Sequence, residues 1–326
     1  MERRTILRAS WLVLFAIILT AGIAWAATDF PNKPVNLVIG FAAGGETDIV
    51  VRAMNEELGK RLGVPAVVLN KPGSGGLVAA EFVAKSKPDG YNLLVLSLSH
   101  VLRQAGDPTM TVNVPKDFEP ICRFVTQPIV LVVQGDSQFK TVENLIDFGK
   151  QNVNKLNFGS PGVGSVGHFS GELFKAETKA TFKHVPFNGS APSITALMGG
   201  HIDFLVTALP ALGGKVASGD LRILASFADK RLPEMKDVPT MIEKGFPQAR
   251  MAGWFGFVAP AGTPKDVLEK LGQAFQGTIK DPKIVETVQK MAFNEAYLSA
   301  GELSTHIKSE LALFSKIAKE EGIVIK

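Results

Sequence analysis

The stretch Val35-Asn36-Leu37-Val38-Ile39-Gly40, followed by Phe41-Ala42-Ala43-Gly44-Gly45 and then by Thr47 to Leu62, decides the fold. The short apolar, β-branched run reads as a strand, the small residues as a turn, and the longer segment as a helix. Within that segment Val50, Met54, Leu58 and Leu62 recur every fourth residue and mark the buried face. Arg52, Glu56 and Lys60 repeat at the same spacing and read as a solvated stripe. Gly63 stands where a left-handed residue closes the helix.

The same unit repeats downstream. Ala66 to Asn70 reads as a strand, Lys71-Pro72-Gly73-Ser74-Gly75-Gly76 as a structural turn, Leu77 to Lys85 as a helix and Tyr91 to Leu98 as a strand. A second series follows, with strands near Leu156 to Gly159, Phe182 to Pro186, Phe204 to Thr207 and Leu221 to Phe227. Helices near Val142 to Gln151, Gly167 to Glu177 and Ala191 to Met198 separate them. Regular alternation of strand and helix implies an α/β fold built of parallel βαβ units. The C-terminal part is helical, with start signals at Thr263-Pro264-Lys265-Asp266, Asp281-Pro282 and Ser299-Ala300-Gly301-Glu302.

At the N-terminus, Arg3, Arg4 and Arg8 precede an apolar run from Ala9 to Ala21 and the small-residue pattern Ala24-Trp25-Ala26. That is the layout of a cleavable secretory signal peptide over residues 1–26, and it predicts a periplasmic protein beginning at Ala27. Its loss takes away three Arg and one Glu and lowers the formal charge from +4 to +2. With a nearly balanced charge, no basic block and only 8% aromatic residues, nucleic acid is not an expected partner. Cys122 is the single cysteine, so no internal disulfide forms, and it reads as a buried thiol. His100, His184, His201 and His306 show no metal-ligand spacing, and neither a metal nor a cofactor is expected.

Removing 26 of the 326 residues leaves a chain longer than a usual single domain, so two lobes are expected. No low-complexity linker separates the two α/β series, so continuous strands should join them, at Pro128 to Gln134 outward and Gly253 to Val258 on return. This gives a discontinuous first lobe, 27–127 with 251–326, and a second lobe, 128–250.

Several motifs in fixed order then resemble one family. They are Phe30-Pro31-Asn32-Lys33-Pro34-Val35, Phe41-Ala42-Ala43-Gly44-Gly45-Glu46-Thr47-Asp48, Asn70-Lys71-Pro72-Gly73-Ser74-Gly75-Gly76 and Lys87-Pro88-Asp89-Gly90-Tyr91. Asn157 to Ser165 with His168, Val185 to Pro192, Trp254-Phe255-Gly256 and Ala259 to Pro264 continue the series. Together they resemble the substrate-binding receptors of tripartite tricarboxylate transporters, the Bug or TctC family. The resemblance implies a two-lobed periplasmic binding protein fold of the second type, each lobe a mainly parallel sheet flanked by helices, closing like a flytrap on one ligand. It also implies a small carboxylated solute and a membrane partner of one large and one small subunit. A monomer with no catalytic residues is expected.

In parallel α/β lobes the ligand sits where strands run into helices, because helix N-termini present unpaired N–H groups and partial positive charge. Three turns fit, none containing Lys or Arg. The first supplies Phe41, Ala43, Gly44, Gly45, Glu46, Thr47 and Asp48; the second Ser160, Gly162, Gly164, Ser165 and His168; the third Asn188, Gly189, Ser190 and Ala191. Asp48 serves equally as a ligand contact or a helix-start acid, and His168 as a contact or a structural donor. Glu46 departs from the small or neutral residue the resemblance leads one to expect. It either points outward or meets a cationic or donating part of the ligand.

Two other readings are weaker. Gly162-Val163-Gly164-Ser165-Val166-Gly167 satisfies the dinucleotide pattern of an NAD-dependent oxidoreductase, but it lacks the first-strand context and the acidic residue about 20 positions on. A receptor that signals to a sensor kinase, in place of a transporter, has no distinguishing residue.

Overall fold

The structure, a computed structural model, describes residues 30–107, 109–232 and 235–325; the signal-peptide reading lies outside them. All that follows concerns the compact unit that begins at Lys33.

The first lobe is laid on three parallel strands, β1 (Val35–Ile39), β2 (Ala66–Asn70) and β3 (Asn92–Ser97), with β1 in the middle. Four of the five β1 side chains are buried, as expected of a parallel strand covered on both faces. The helix Glu46–Leu62 buries Val50, Met54, Leu58 and Leu62, the stripe read from the sequence. Each such side chain contributes about 1.5–3 kcal/mol on leaving water. Gly63 ends the helix in the left-handed region at φ 74°. Lys60 and Glu56 pair on its outer face at 2.8 Å. Arg52 does more than face solvent, since its guanidinium holds Asp48 at 2.9 Å.

Strand β4 (Phe118–Gln134) runs for 17 residues and belongs to both lobes. Its first part lies between β9 (Ala252–Pro260) and β10 (Asn294–Ser299), both antiparallel to it. From Ile129 onward its neighbours are β7 (Phe204–Ala208) and β8 (Leu221–Ser226). Pro128, the last residue of β4 in register with β9, stands at the change of partner. In the second lobe β5 (Leu156–Ser160) lies between β6 (Phe182–Pro186) and β7, parallel to both. Each lobe therefore carries three parallel strands extended by antiparallel ones.

Beside the crossing strand the lobes share an apolar core. Phe169 of the helix Val166–Thr178 meets Phe314 of the C-terminal helix Ala300–Glu320 edge to face, ring centres 5.5 Å apart. Cys122 is fully buried, and burial pushes its thiol pKa up. Among the described residues no helix is long and apolar enough to cross a membrane.

Helix starts follow the expected signals with one correction. Asp281 caps the helix Pro282–Lys290 by accepting from Lys283 N at 3.0 Å, and the Glu302 carboxylate accepts from Ser299 N at 2.8 Å. Thr263 does not cap the helix Lys265–Ile279. Its hydroxyl donates instead to the Pro260 carbonyl at 2.7 Å, and Pro264 occupies the cap position. The helix Leu98–Gly106 and strand β10 were not foreseen.

Candidate functional site

Where β1, β3 and β5 end, three helices begin, and their first turns face one another across the gap between the lobes. Glu46 opens the first, Ser97 and Ser99 flank the start of the second, and Ser165, Val166 and Gly167 form the start of the third. With Phe41, Pro161 and Ala208 they line a narrow cavity. The crossing strands close its floor with Gln127 and Ile129 from β4 and Trp254 and Phe255 from β9.

Backbone N–H groups at a helix start have no partner within the helix. Among the described residues, those of Ser99 and Gly167 carry no hydrogen bond, and both residues line the cavity. No lysine or arginine lines it, and Glu46 is its only charged side chain. What this lining offers a negative charge is helix N-termini, each worth about half a positive charge.

Half-buried Glu46 turns inward. Its Oε2 accepts from the Ser190 hydroxyl at 2.8 Å, a bond between the first helical residues of two opposing helices. Burial raises the Glu46 carboxyl above its ordinary value, against the lowering effect of its own backbone and of Ser190.

Asp48 faces away from the cavity and braces the first turn. Its carboxylate accepts from Gly44 N at 3.0 Å, Arg52 Nε at 2.9 Å and Asn70 Nδ2 at 3.0 Å. Asn70 Nδ2 also donates to the Phe41 carbonyl at 3.1 Å, so β2 fixes the turn from the side. Burial alone would raise the Asp48 pKa, but the Arg52, Gly44 and Asn70 donors together hold it below the usual range. Within the turn Ala43 and Gly44 are exposed, Gly44 at φ 80°, while Thr47 is buried in the lobe.

The second turn is held by a pair of stacked imidazoles. His168 and His184 lie parallel, centroids 4.0 Å apart. His168 Nδ1 accepts from Gly164 N at 3.2 Å, and His184 Nε2 is 2.7 Å from the buried Ser160 hydroxyl. Burial is the main cause that lowers both pKa values, to about 4 for His168 and about 3 for His184. Neither line the cavity, so both rings are neutral struts of the turn. Ser165 combines two positions, capping its helix by accepting from His168 N at 3.1 Å and lining the cavity.

Gly162, Asn188 and Gly189 line a larger outer space, which shares Phe41 and Pro161 with the inner cavity. Gly45 and Ala191 line neither. The three turns come together, with Phe41, Glu46 and Ser165 at the inner cavity. Sequence reasoning missed Ser97, Ser99, Gln127 and Trp254 as wall residues. Ser97 and Ser99 had a usable signal, since they sit in a strand-to-helix turn like the other three.

Residues 50–323 match the family described as "Tripartite tricarboxylate transporter family receptor". The chain belongs to that family. A Cupriavidus necator protein, "UPF0065 protein in gbd 5'region", is 34% identical over 89% of each chain. The solved structure of periplasmic binding protein BugD is 29% identical, with a TM-score of 0.86 over 91% of this chain and 100% of that one. The R. palustris protein Rpa4515 with adipate is 30% identical, with a TM-score of 0.86 over 91% of this chain and 99% of that one. The two-lobed fold of this receptor family is thus the fold observed here, and solute binding is what the family does.

Proposed function

We propose that this receptor captures a small carboxylated solute in the periplasm, closes its two lobes over it and delivers it, as a monomer, to the large and small membrane subunits of a tripartite transporter. The observation that carries the reading is the convergence of three helix N-termini on a closed interlobe cavity without a basic side chain. Such a site holds a carboxylate through N–H groups and hydroxyls. The solved relative with adipate supports a carboxylate as the ligand class. For the lobe division we keep 27–127 with 251–326, and 128–250; the change of β4 partner after Pro128 supports it. The three turns named from the sequence remain our proposed site, with Phe41, Glu46 and Ser165 nearest the solute and Asp48 and His168 bracing the turns from behind.

Native mass spectrometry of protein purified from the periplasm tests this. The expected result is one small acid per chain, released unchanged on denaturation. Recovery of the chain only from the cytoplasm, or of a chemically altered product, would overturn the proposal.

A further inference from the structure

Trp254 of β9 forms part of the cavity floor, and its indole N–H donates to Glu310 Oε2 at 2.8 Å. Glu310 belongs to the helix Ala300–Glu320 and lies outside the cavity. It lines a separate groove, with Leu173 of the second lobe and Phe314 of the first. The carboxyl thus touches a wall residue of the solute cavity on one side and an outer groove on the other.

Its second oxygen meets a proton conflict. His306 Nε2 is 3.3 Å from Glu310 Oε1, and the same nitrogen is 3.3 Å from Arg123 Nη1 of β4. Arg123 can only donate, and its Nε is tied to the Ala296 carbonyl at 2.9 Å. When Nε2 accepts from Arg123, its contact with Glu310 needs a proton on the carboxyl. When Glu310 is ionised, Nε2 must carry the proton and turns a donor toward Arg123. Two arrangements therefore exist, and one proton on Glu310 separates them. The charge of Glu302 also acts on Arg123. The other charged groups of the groove, Asp229 and Arg250, pair with each other at 3.8 Å, and Glu46 lines the cavity that Trp254 floors.

We infer that Glu310 is a positioning residue of the solute site, holding the Trp254 indole in the cavity floor, and that a proton entering by the groove weakens that hold. The purpose rests on the receptor reading above; the hydrogen bonds do not. A charged acceptor makes the stronger bond to an N–H, so the floor is firmest with Glu310 ionised. Burial raises the carboxyl to about 7, against the lowering effects of Trp254 and Arg123, which puts the change near neutral pH.

Trp254 is the only tryptophan beyond residue 25. Protein purified from the periplasm should therefore give one indole signal in a proton–nitrogen correlation spectrum, identified by its absence in Trp254→Phe. Between about pH 5 and about pH 9 that signal should shift with a midpoint of about 7. Glu310→Gln keeps an acceptor for the indole and should lose the midpoint. Glu310→Ala removes the acceptor, and exchange of the indole hydrogen with water should quicken by roughly ten- to a hundredfold, the range for a hydrogen bond to a charged group. Circular dichroism checks the fold of each variant; if Glu310→Ala fails to fold, the Glu310→Gln titration decides alone. A wild-type signal that does not titrate overturns the inference, as does an exchange rate unchanged in folded Glu310→Ala. So does a midpoint that persists in Glu310→Gln, since it would belong to His306 or Glu46. No solute enters the measurement. Additional indole signals from Trp11 and Trp25 would count against export and processing, and so against the receptor proposal, and leave this inference standing.

Discussion

The Ser190 hydroxyl donates to Glu46 Oε2 at 2.8 Å, and this bond joins the first residue of a helix in one lobe to the first residue of a helix in the other. Both helix starts bring partial positive charge toward the same carboxylate, which makes the bond a latch for the closed arrangement. Ser190→Ala removes the donor and leaves the rest of the cavity. A hydrogen bond to a charged group is worth about 1.5–3 kcal/mol, so solute affinity should fall by roughly ten- to a hundredfold. Calorimetry should show that loss for every ligand, with their rank order unchanged.

Asp48 supports the first turn without touching the cavity. Asp48→Ala leaves Gly44 N, Arg52 and Asn70 without their common acceptor and should lower unfolding free energy by about 2–3 kcal/mol. Urea unfolding followed by circular dichroism measures it. Asp48→Asn keeps part of the hydrogen bonding but loses the charge, and should fall between that variant and the wild type.

Gly75 lies beside Val163 of the opposite lobe, and both line the outer space. Its φ is 62°, and a Cβ there would stand 2.6 Å from the carbonyl oxygen of Val163 in the opposite lobe. Backbone strain in Gly75→Ala should cost about 1–2 kcal/mol of stability. The added methyl also props the lobes apart. Affinity for the solute should therefore drop by roughly tenfold or more, an effect of about 1.4 kcal/mol or greater. Paired urea titrations and calorimetry separate the two effects.

The stacked histidines predict an acid sensitivity of defined sign. His168 and His184 are held neutral in the fold, with pKa values of about 4 and about 3, because burial disfavours the charged ring. An unfolded histidine titrates near ~6.5. Below that value the unfolded chain binds protons that the folded chain does not, so stability falls as pH drops from ~6.5 toward 4, by up to about 1.4 kcal/mol per pH unit for each ring. Glu310 acts oppositely, since burial raises its carboxyl to about 7 and the fold keeps that proton. Comparison with His184→Gln cancels the Glu310 effect, and Gln retains a donor for Ser160. Between pH 7 and pH 5 the wild type should lose about 1–2 kcal/mol more than the variant in urea unfolding.

The elements legible from the sequence were those set by local pattern. The strand Ala66–Asn70 ends as read, and the Val50, Met54, Leu58 stripe is the buried stripe. Strand β10 escaped because Asn294-Glu295-Ala296-Tyr297 is polar and only its pairing with β4 makes it a strand. The long reach of β4 escaped for a similar reason: the crossing strand was read as beginning at Pro128, and pairing with the distant β9 carries it back to Phe118. At the site, small residues after a strand pointed to the turns, which is why Glu46 and Ser165 were found. Gln127 lies on the crossing strand, and what it faces depends on how two remote segments pair, which no local pattern carries. Asp48 and His168 are the opposite case. Both stand in the right turns, but their hydrogen bonds to Gly44 and Gly164 turn them toward the backbone.

The central claim is that the interlobe cavity binds a carboxylated solute, and thermal unfolding of the chain against organic acids, amino acids and NAD tests it most directly. A solute at about 100 times its Kd adds about 2.7 kcal/mol and should raise the Tm by a few degrees for at least one carboxylate, with no shift for NAD. A shift with NAD and none with any carboxylate would contradict the claim.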